Sequence, residues 1–335
     1  MKITFVSKYS FDKAPDGRVT SGGASARLRV AEPAMILHRL GHVVRLKTIP
    51  PEATDFQPDF HNELVVVSKI IEPAILDKLA SLALAGLPVV VDICDNRLNH
   101  PVFGQALCRL VAASLGVFCN TAEMARVVDK AVPGKLIRVL TEPVEGEVLP
   151  RKALAVNGAR LLWFGHQDGL PQLQRAYPSY CQALAGRPAS LQILCGATPE
   201  VLRWVAQTNE FSGGLVPVSF SPWAPRALRE ACRISDIALL PGSEEEFWLT
   251  KSPNRLLQAL WYGLRVAAHP FPSYRPYADH CVLDADPAAA LVRALTEHPE
   301  TNVQAQLAQE CSSEAVGRAW ACAIEELVAH VGSCR

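Results

Sequence analysis

The stretch Leu64–Asn96, LVVVSKIIEPAILDKLASLALAGLPVVVDICDN, carries the pattern that decides the fold. LVVVS (64–68) and PVVVDI (88–93) are short, nearly unbroken apolar runs, as expected of strands buried on both faces. Between them, residues 71–86 have the spacing of a helix with one apolar side. A strand, a helix and a second strand in succession make a βαβ unit, whose two strands run parallel.

The same alternation extends in both directions. Toward the N-terminus it predicts strands at 3–7 and 42–47 around a helix at 24–40; beyond Asn96 it predicts helices at 101–113 and 121–130 and strands at 115–119 and 136–140. TEPVEGEVLPRKALAVNG (141–158) then interrupts the rhythm with prolines, glycines and scattered charge, which reads as a domain linker. The rhythm restarts with strands at 159–165, 191–196, 215–220, 236–241, 264–270 and 281–284, and helices at 286–297 and 302–331 close it. The expected fold class is therefore α/β, with two facing Rossmann-like doubly wound domains. Residues 1–150 form the first and 151–335 the second, which includes the C-terminal helices. Ligands of such sheets bind beyond the carboxyl ends of the strands, so the expected site is the cleft between the two domains.

Composition narrows the function. The 335 residues are 49% hydrophobic and 20% charged, enough for two cores. Lys plus Arg and Asp plus Glu are equal at 33 each, so no basic excess points to nucleic acid. The apolar run in MKITFVSKYS is closed by Lys8 and Lys13, so neither a signal peptide nor a membrane span is expected there, and the protein reads as cytoplasmic. The ten cysteines include no C-x-x-C pair, and several fall in strands, so buried thiols rather than a disulfide or zinc framework are expected.

Candidate chemistry should follow strand ends. After the first strand, Ser21, Gly22, Gly23 and Ser25 precede a helix carrying Arg27 and Arg29. Glycines admit close approach of a ligand, and a helix start favours an anion. The spacing is not G-x-G-x-x-G, and Arg45 and Lys47 stand where a nicotinamide ribose needs an acid, which argues against a dinucleotide oxidoreductase. DICDNRLNHP (92–101) gathers Asp92, Asp95, Asn96, Asn99 and His100, suited to orienting hydroxyls or to acid–base work. Asn120 or Thr121 caps the following helix, an ordinary structural role. In the second half, WFGHQDG (163–169) offers Gly165, His166 and Asp168, and PGSEEEFWLT delivers Glu244, Glu245 and Glu246 after a strand. Then comes KSPNRLLQALWYGLRVAAHPFPSY (251–274). Its spacing places Ser252 at the N-cap and Pro253 at N1, with Asn254 and Arg255 in the first turn and Lys251 alongside, together a cradle for a phosphate or diphosphate.

These features, and NRLLQALWYGLRVAA above all, resemble the GT-B glycosyltransferases, in particular the retaining family 4 (group 1) enzymes related to sucrose synthases and bacterial lipopolysaccharide and capsule transferases. The similarity runs along essentially the whole chain. In that family the segment begins with one glutamate and carries a second eight positions on; here those positions hold Thr250 and Gln258. The resemblance implies a nucleotide-sugar donor as substrate with no resident cofactor or metal, and a glycan or lipid-linked acceptor in cell-surface polysaccharide synthesis. It also implies peripheral contact with the inner membrane face, although no basic amphipathic helix stands out. On this reading Lys251 and Arg255, with Arg27 approaching from the other domain, neutralise the leaving diphosphate. Gly22, Gly23, Gly165, His166, Ser252, Asn254 and Gln258 hold the donor, Asp95, Asn96 and His100 position the sugars, and Glu246 or its neighbours reach the donor sugar. Loss of the paired carboxylates supports a rival reading, a catalytically silent relative that binds a glycan, a nucleotide or a partner protein.

Overall fold

The computed structural model describes residues 1–14, 17–53, 59–60, 63–151, 153–154, 158–211, 215–297 and 303–333. Positions 152 and 155–157 of the expected linker, position 302 of the expected final helix, and Cys334 lie outside them. The chain divides into two compact units. The first comprises Met1–Pro143, Thr250–Ser252 and Glu310–Arg335, and the second Val144–Leu249 and Pro253–Gln309.

The first unit opens with β1 (Lys2–Ser7), a small antiparallel hairpin of β2 (Asp12–Lys13) and β3 (Val19–Thr20), and helix α1 (Ala24–Ala26). A π-helical stretch, Arg27–Ala31, joins α1 to α2 (Glu32–Arg39). There follow β4 (Val43–Thr48), β5 (Leu64–Ser68), α3 (Pro73–Leu84), β6 (Val89–Ile93), α4 (Gly104–Ala113), β7 (Gly116–Cys119), α5 (Ala122–Ala131) and β8 (Ile137–Val139). The six long strands form one parallel sheet in the order β4-β1-β5-β6-β7-β8. All five residues of β5 and all five of β6 are buried, which is why they read as unbroken apolar runs. Helix α3 starts with Pro73 at its first position, and the chain leaves it through Gly86 at φ +102°, a backbone setting that glycine adopts without a Cβ penalty.

The second unit repeats the plan with β9 (Ala159–Phe164), α6 (Leu170–Ala183), β10 (Ala189–Cys195), α7 (Pro199–Phe211), β11 (Val218–Pro222), α8 (Pro225–Ile234) and β12 (Ile237–Leu240). It continues through α9 (Glu246–Leu249), α10 (Asn254–Trp261), β13 (Arg265–Ala268), β14 (Val282–Leu283), α11 (Pro287–Thr296) and α12 (Val303–Glu310). Its parallel sheet has the order β11-β10-β9-β12-β13-β14. The chain reverses its direction of strand addition between β1 and β5 in one sheet and between β9 and β12 in the other. The carboxyl ends of those strand pairs are the switch points where such sheets bind ligands.

The segment expected to be helical over 302–331 is two helices, α12 and α13 (Ser313–Ser333), broken at Cys311–Ser312. Helix α13 packs on the first unit, where the sequence reading assigns it to the second domain. Val316, Trp320, Ala323, Ile324 and Leu327, one helical face, are buried against Ile3, Phe5, Val30, Leu37 and Phe118. The Trp320 ring meets Phe5 at 5.8 Å and Phe118 edge-on at 5.0 Å between centroids. Two glycines allow this approach: a Cβ at Gly317 would stand 2.3 Å from Ile36, and one at Gly116 would stand 2.5 Å from Leu327.

Candidate functional site

Each unit presents a cluster of polar groups at the carboxyl edge of its sheet. In the first unit a buried charge network underlies the edge. Arg29, placed by the π-helical stretch, is fully buried and donates to Asp92 of β6 through Nε at 3.1 Å and through Nη2, and its Nη1 donates to the carbonyl of Leu140. Ser68 at the end of β5 donates to the second oxygen of Asp92 at 2.9 Å. Burial works against the Arg29 charge, and Asp92 outweighs it, keeping the guanidinium protonated. The ring of Trp320 lies 5.2 Å from that guanidinium.

Above this network Asp95, in the turn after β6, is paired with two ammonium groups, Lys69 after β5 and Lys251. Burial disfavours the ionised carboxylate, yet Lys69 and Lys251 together lower its pKa to about 2. The segment Thr250–Ser252 is held to the first unit at each residue. Thr121 Oγ1 donates to the Thr250 carbonyl at 3.0 Å, Lys251 pairs with Asp95, and Ser252 Oγ donates to Glu142 at 2.6 Å. Burial raises the pKa of Glu142, partly countered by Arg29 and by the Ser252 hydroxyl. Burial likewise lifts the thiol of Cys94 to about 11, so it is no nucleophile at neutral pH.

In the second unit Gly165 follows β9 at the switch point. A Cβ there would stand 3.2 Å from the Arg255 side chain, so the guanidinium packs closely across this strand end. Arg255 is hydrogen-bonded to the buried Tyr274. Asn254 opens α10, and its buried Nδ2 has no hydrogen-bond partner, as is true of the Ser243 hydroxyl after β12. His269 at the end of β13 pairs with Glu244 at 2.9 Å.

Several expected roles change. Ser252 does not cap α10: Pro253 takes the N-cap position, and the serine hydroxyl is bound to Glu142 instead. Gln258 is buried, accepting from the Glu145 amide at 2.8 Å and donating to the Glu145 carbonyl at 3.0 Å, a backbone latch rather than an open ribose contact. Arg27 is buried and donates to the Ser21 carbonyl at 3.2 Å, bracing its own loop. His100 stacks on Phe103 at 4.0 Å and accepts from the Val102 amide, serving the start of α4. His166 is exposed and pairs with Asp168 at 3.2 Å, closing the short turn Gln167–Gly169. Glu246 is exposed as the first residue of the four-residue α9. Gly22 is open, with nothing within 4 Å of where a Cβ would stand, whereas at Gly23 a Cβ would meet the Tyr9 ring at 3.0 Å. The sequence reading misses Lys69, Glu142 and Tyr274. Lys69 can be found as the charged residue directly after the strand LVVVS, but Glu142 is hidden in the apparent linker.

Among the described residues, no group of three or more His, Cys, Asp or Glu side chains could hold a metal ion. No helix among them is long and apolar enough to cross a membrane.

Two six-stranded parallel sheets, each in a Rossmann-like doubly wound unit, define the GT-B fold. Solved structures share it along most of the chain. An E. coli trehalose-6-phosphate structure bound with UDP-2-fluoro glucose is similar at 11% identity and a TM-score of 0.66, covering 98% of this chain and 99% of that one. Anabaena Alr3699/HepE in complex with UDP and glucose is similar at 14% identity and a TM-score of 0.64, covering 97% and 99%. A mutant of S. aureus TarM in complex with Fondaparinux, alpha-GlcNAc-glycerol and UDP is similar at 10% identity and a TM-score of 0.59, covering 94% of this chain and 64% of that one. No family model matches the chain, and no curated protein matches it by sequence.

Proposed function

We propose that this chain is a glycosyltransferase that moves a sugar from a nucleoside-diphosphate donor onto a carbohydrate acceptor. The observation that carries the reading is the Arg255 guanidinium lying against Gly165, at the switch point of the second sheet and in the first turn of α10. The fold is shared with structures determined with UDP or a UDP-sugar, which supports the same reading. As the bond between sugar and diphosphate breaks, negative charge grows on the leaving oxygens. A fixed guanidinium and the free amides of a helix start stabilise that charge without reorganising. These groups supply the charge that a metal ion provides elsewhere. In the retaining course that the sequence resemblance implies, the acceptor hydroxyl attacks on the face the diphosphate leaves, and a diphosphate oxygen takes its proton. A glycan or lipid-linked acceptor in cell-surface polysaccharide synthesis is the role that resemblance points to.

A second reading, a silent relative that binds nucleotide without turnover, is favoured by Gln258. Its amide is engaged with the Glu145 backbone, and Thr250 stands where the resembling family has its other glutamate. Thermal unfolding with UDP, GDP, CDP and ADP tests both. A nucleotide at 100 times its dissociation constant adds about 2.7 kcal/mol of stability, and Arg255→Ala is expected to remove most of that shift. Release of free nucleotide from a nucleotide sugar supports the transferase; binding without release supports the silent relative. No shift with any nucleotide overturns both.

A further inference from the structure

We propose that the carboxyl edge of the first sheet binds an acidic sugar, whose anionic group lies between Lys69 and Lys251 and whose hydroxyl is received by Asn120. Calling this ligand the acceptor rests on the transferase reading; the binding itself does not. Three observations carry the inference.

The first is Lys69. It directly follows β5 at the switch point and has φ +61°, which no other non-glycine residue has in the left-handed region among those described. That backbone setting is unfavourable for a residue with a side chain, and the ammonium of Lys69 meets Asp95. A lysine held in an unfavourable conformation at a ligand-binding edge points to a task beyond packing.

The second is the sharing of one carboxylate by two ammonium groups, Lys69 and Lys251, both partly exposed. Asp95 occupies the position that a ligand carboxylate or phosphate takes between such groups.

The third is Asn120, after β7. Its Nδ2 donates to the Cys94 carbonyl at 3.0 Å, which fixes the amide orientation because a carbonyl can only accept. Its Oδ1 is then left without a partner, in a side chain only 4% exposed, beside the Cys94–Asp95 turn. An orphaned acceptor calls for a donor, and a sugar hydroxyl is one. Cations for an oxyanion and an acceptor for a hydroxyl together describe an acidic sugar better than a neutral one.

The test is calorimetric titration of the full chain with glucuronate and with glucose. Glucuronate is expected to bind at least tenfold more tightly and to weaken as salt rises. Asp95→Asn removes the internal carboxylate that competes with the ligand, so it is expected to raise glucuronate affinity about tenfold. Lys69→Asn, which keeps a residue tolerant of the left-handed backbone, is expected to lower it by a similar factor. A purely structural salt bridge predicts the same sign for both variants, so opposite signs distinguish the two. Should Asp95→Asn fail to fold, Asp95→Ser serves in its place, with the same gain in glucuronate affinity expected and its absence equally decisive. Equal binding of glucose and glucuronate, or no gain in Asp95→Asn, overturns the inference. UDP binding, read separately, reports on the transferase reading: loss of the acid preference with UDP binding intact sinks this inference alone.

Discussion

Asp92→Asn tests the network on which the first unit's edge is built. Both side chains of the Arg29–Asp92 pair are fully buried, so the substitution takes from the guanidinium its hydrogen-bonded counter-charge and leaves it only the influence of Glu142, in a space that water does not reach. It also reduces the acceptors. The carboxylate receives Arg29 Nε, Arg29 Nη2 and Ser68 Oγ on two oxygens, whereas an amide has one oxygen and presents donors in place of the other. Breaking a buried pair by removing one partner costs about 3–5 kcal/mol. At roughly 2–4 °C per kcal/mol for a unit of this size, a loss near 4 kcal/mol corresponds to a fall in Tm of about 8–16 °C. Urea unfolding followed by circular dichroism, with calorimetry, measures both. Replacing the two residues together by apolar ones of similar volume, Arg29→Met with Asp92→Leu, is expected to recover much of the loss, because neither partner is then left charged. A loss below about 1 kcal/mol for Asp92→Asn, or a double variant as unstable as the single one, refutes the reasoning.

Gly317→Ala drives a methyl group to within 2.3 Å of Ile36 and should cost about 1–3 kcal/mol by overpacking the α2–α13 contact; an unchanged urea midpoint would show that the helices separate freely. Asp95 should give a stability slope in acid. Its folded pKa of about 2 lies below the ordinary value of 3.8, so its contribution is complete above about pH 4 and fades as pH falls through 2. That amounts to about 1 kcal/mol lost by pH 3 and about 2 kcal/mol in all. Glu142, raised by burial, contributes with the opposite sign, so the measurement is the difference between wild type and Asp95→Asn. A difference that does not shrink between pH 5 and pH 3 contradicts the assignment.

All twelve strands of the two parallel sheets are legible in the sequence: the central ones because a strand buried on both faces must be apolar throughout, and the half-exposed edge strands β4, β8 and β11 because they are short apolar-containing runs set between helices; the short β2–β3 hairpin is not. The strand order is not, since side-chain periodicity shows that a strand is buried without naming its partner. The same limit misplaces α13: a helix with Val316, Trp320 and Ile324 on one face requires an apolar surface but does not specify which sheet supplies it. At the site, Asp95 and Arg255 are legible from their places after strands or at a helix start. Pairing of Asp95 with Lys251 is not, because it joins residues 156 positions apart. The rule that makes serine an N-cap considers only the local backbone, whose amides the hydroxyl would accept from; the α10 helix instead starts one residue later, and the Ser252 hydroxyl donates to Glu142, a carboxylate distant in sequence.

The Trp320 helix has a consequence for biosynthesis. The sheet it covers is made from the first 139 residues, yet one of its faces, covered by α2 alone, stays partly bare until residues near 327 have left the ribosome. During most of translation the nascent chain therefore carries an uncovered apolar surface including Phe5 and Phe118, a natural target for chaperones. A chain terminated before α13 would keep that surface exposed permanently.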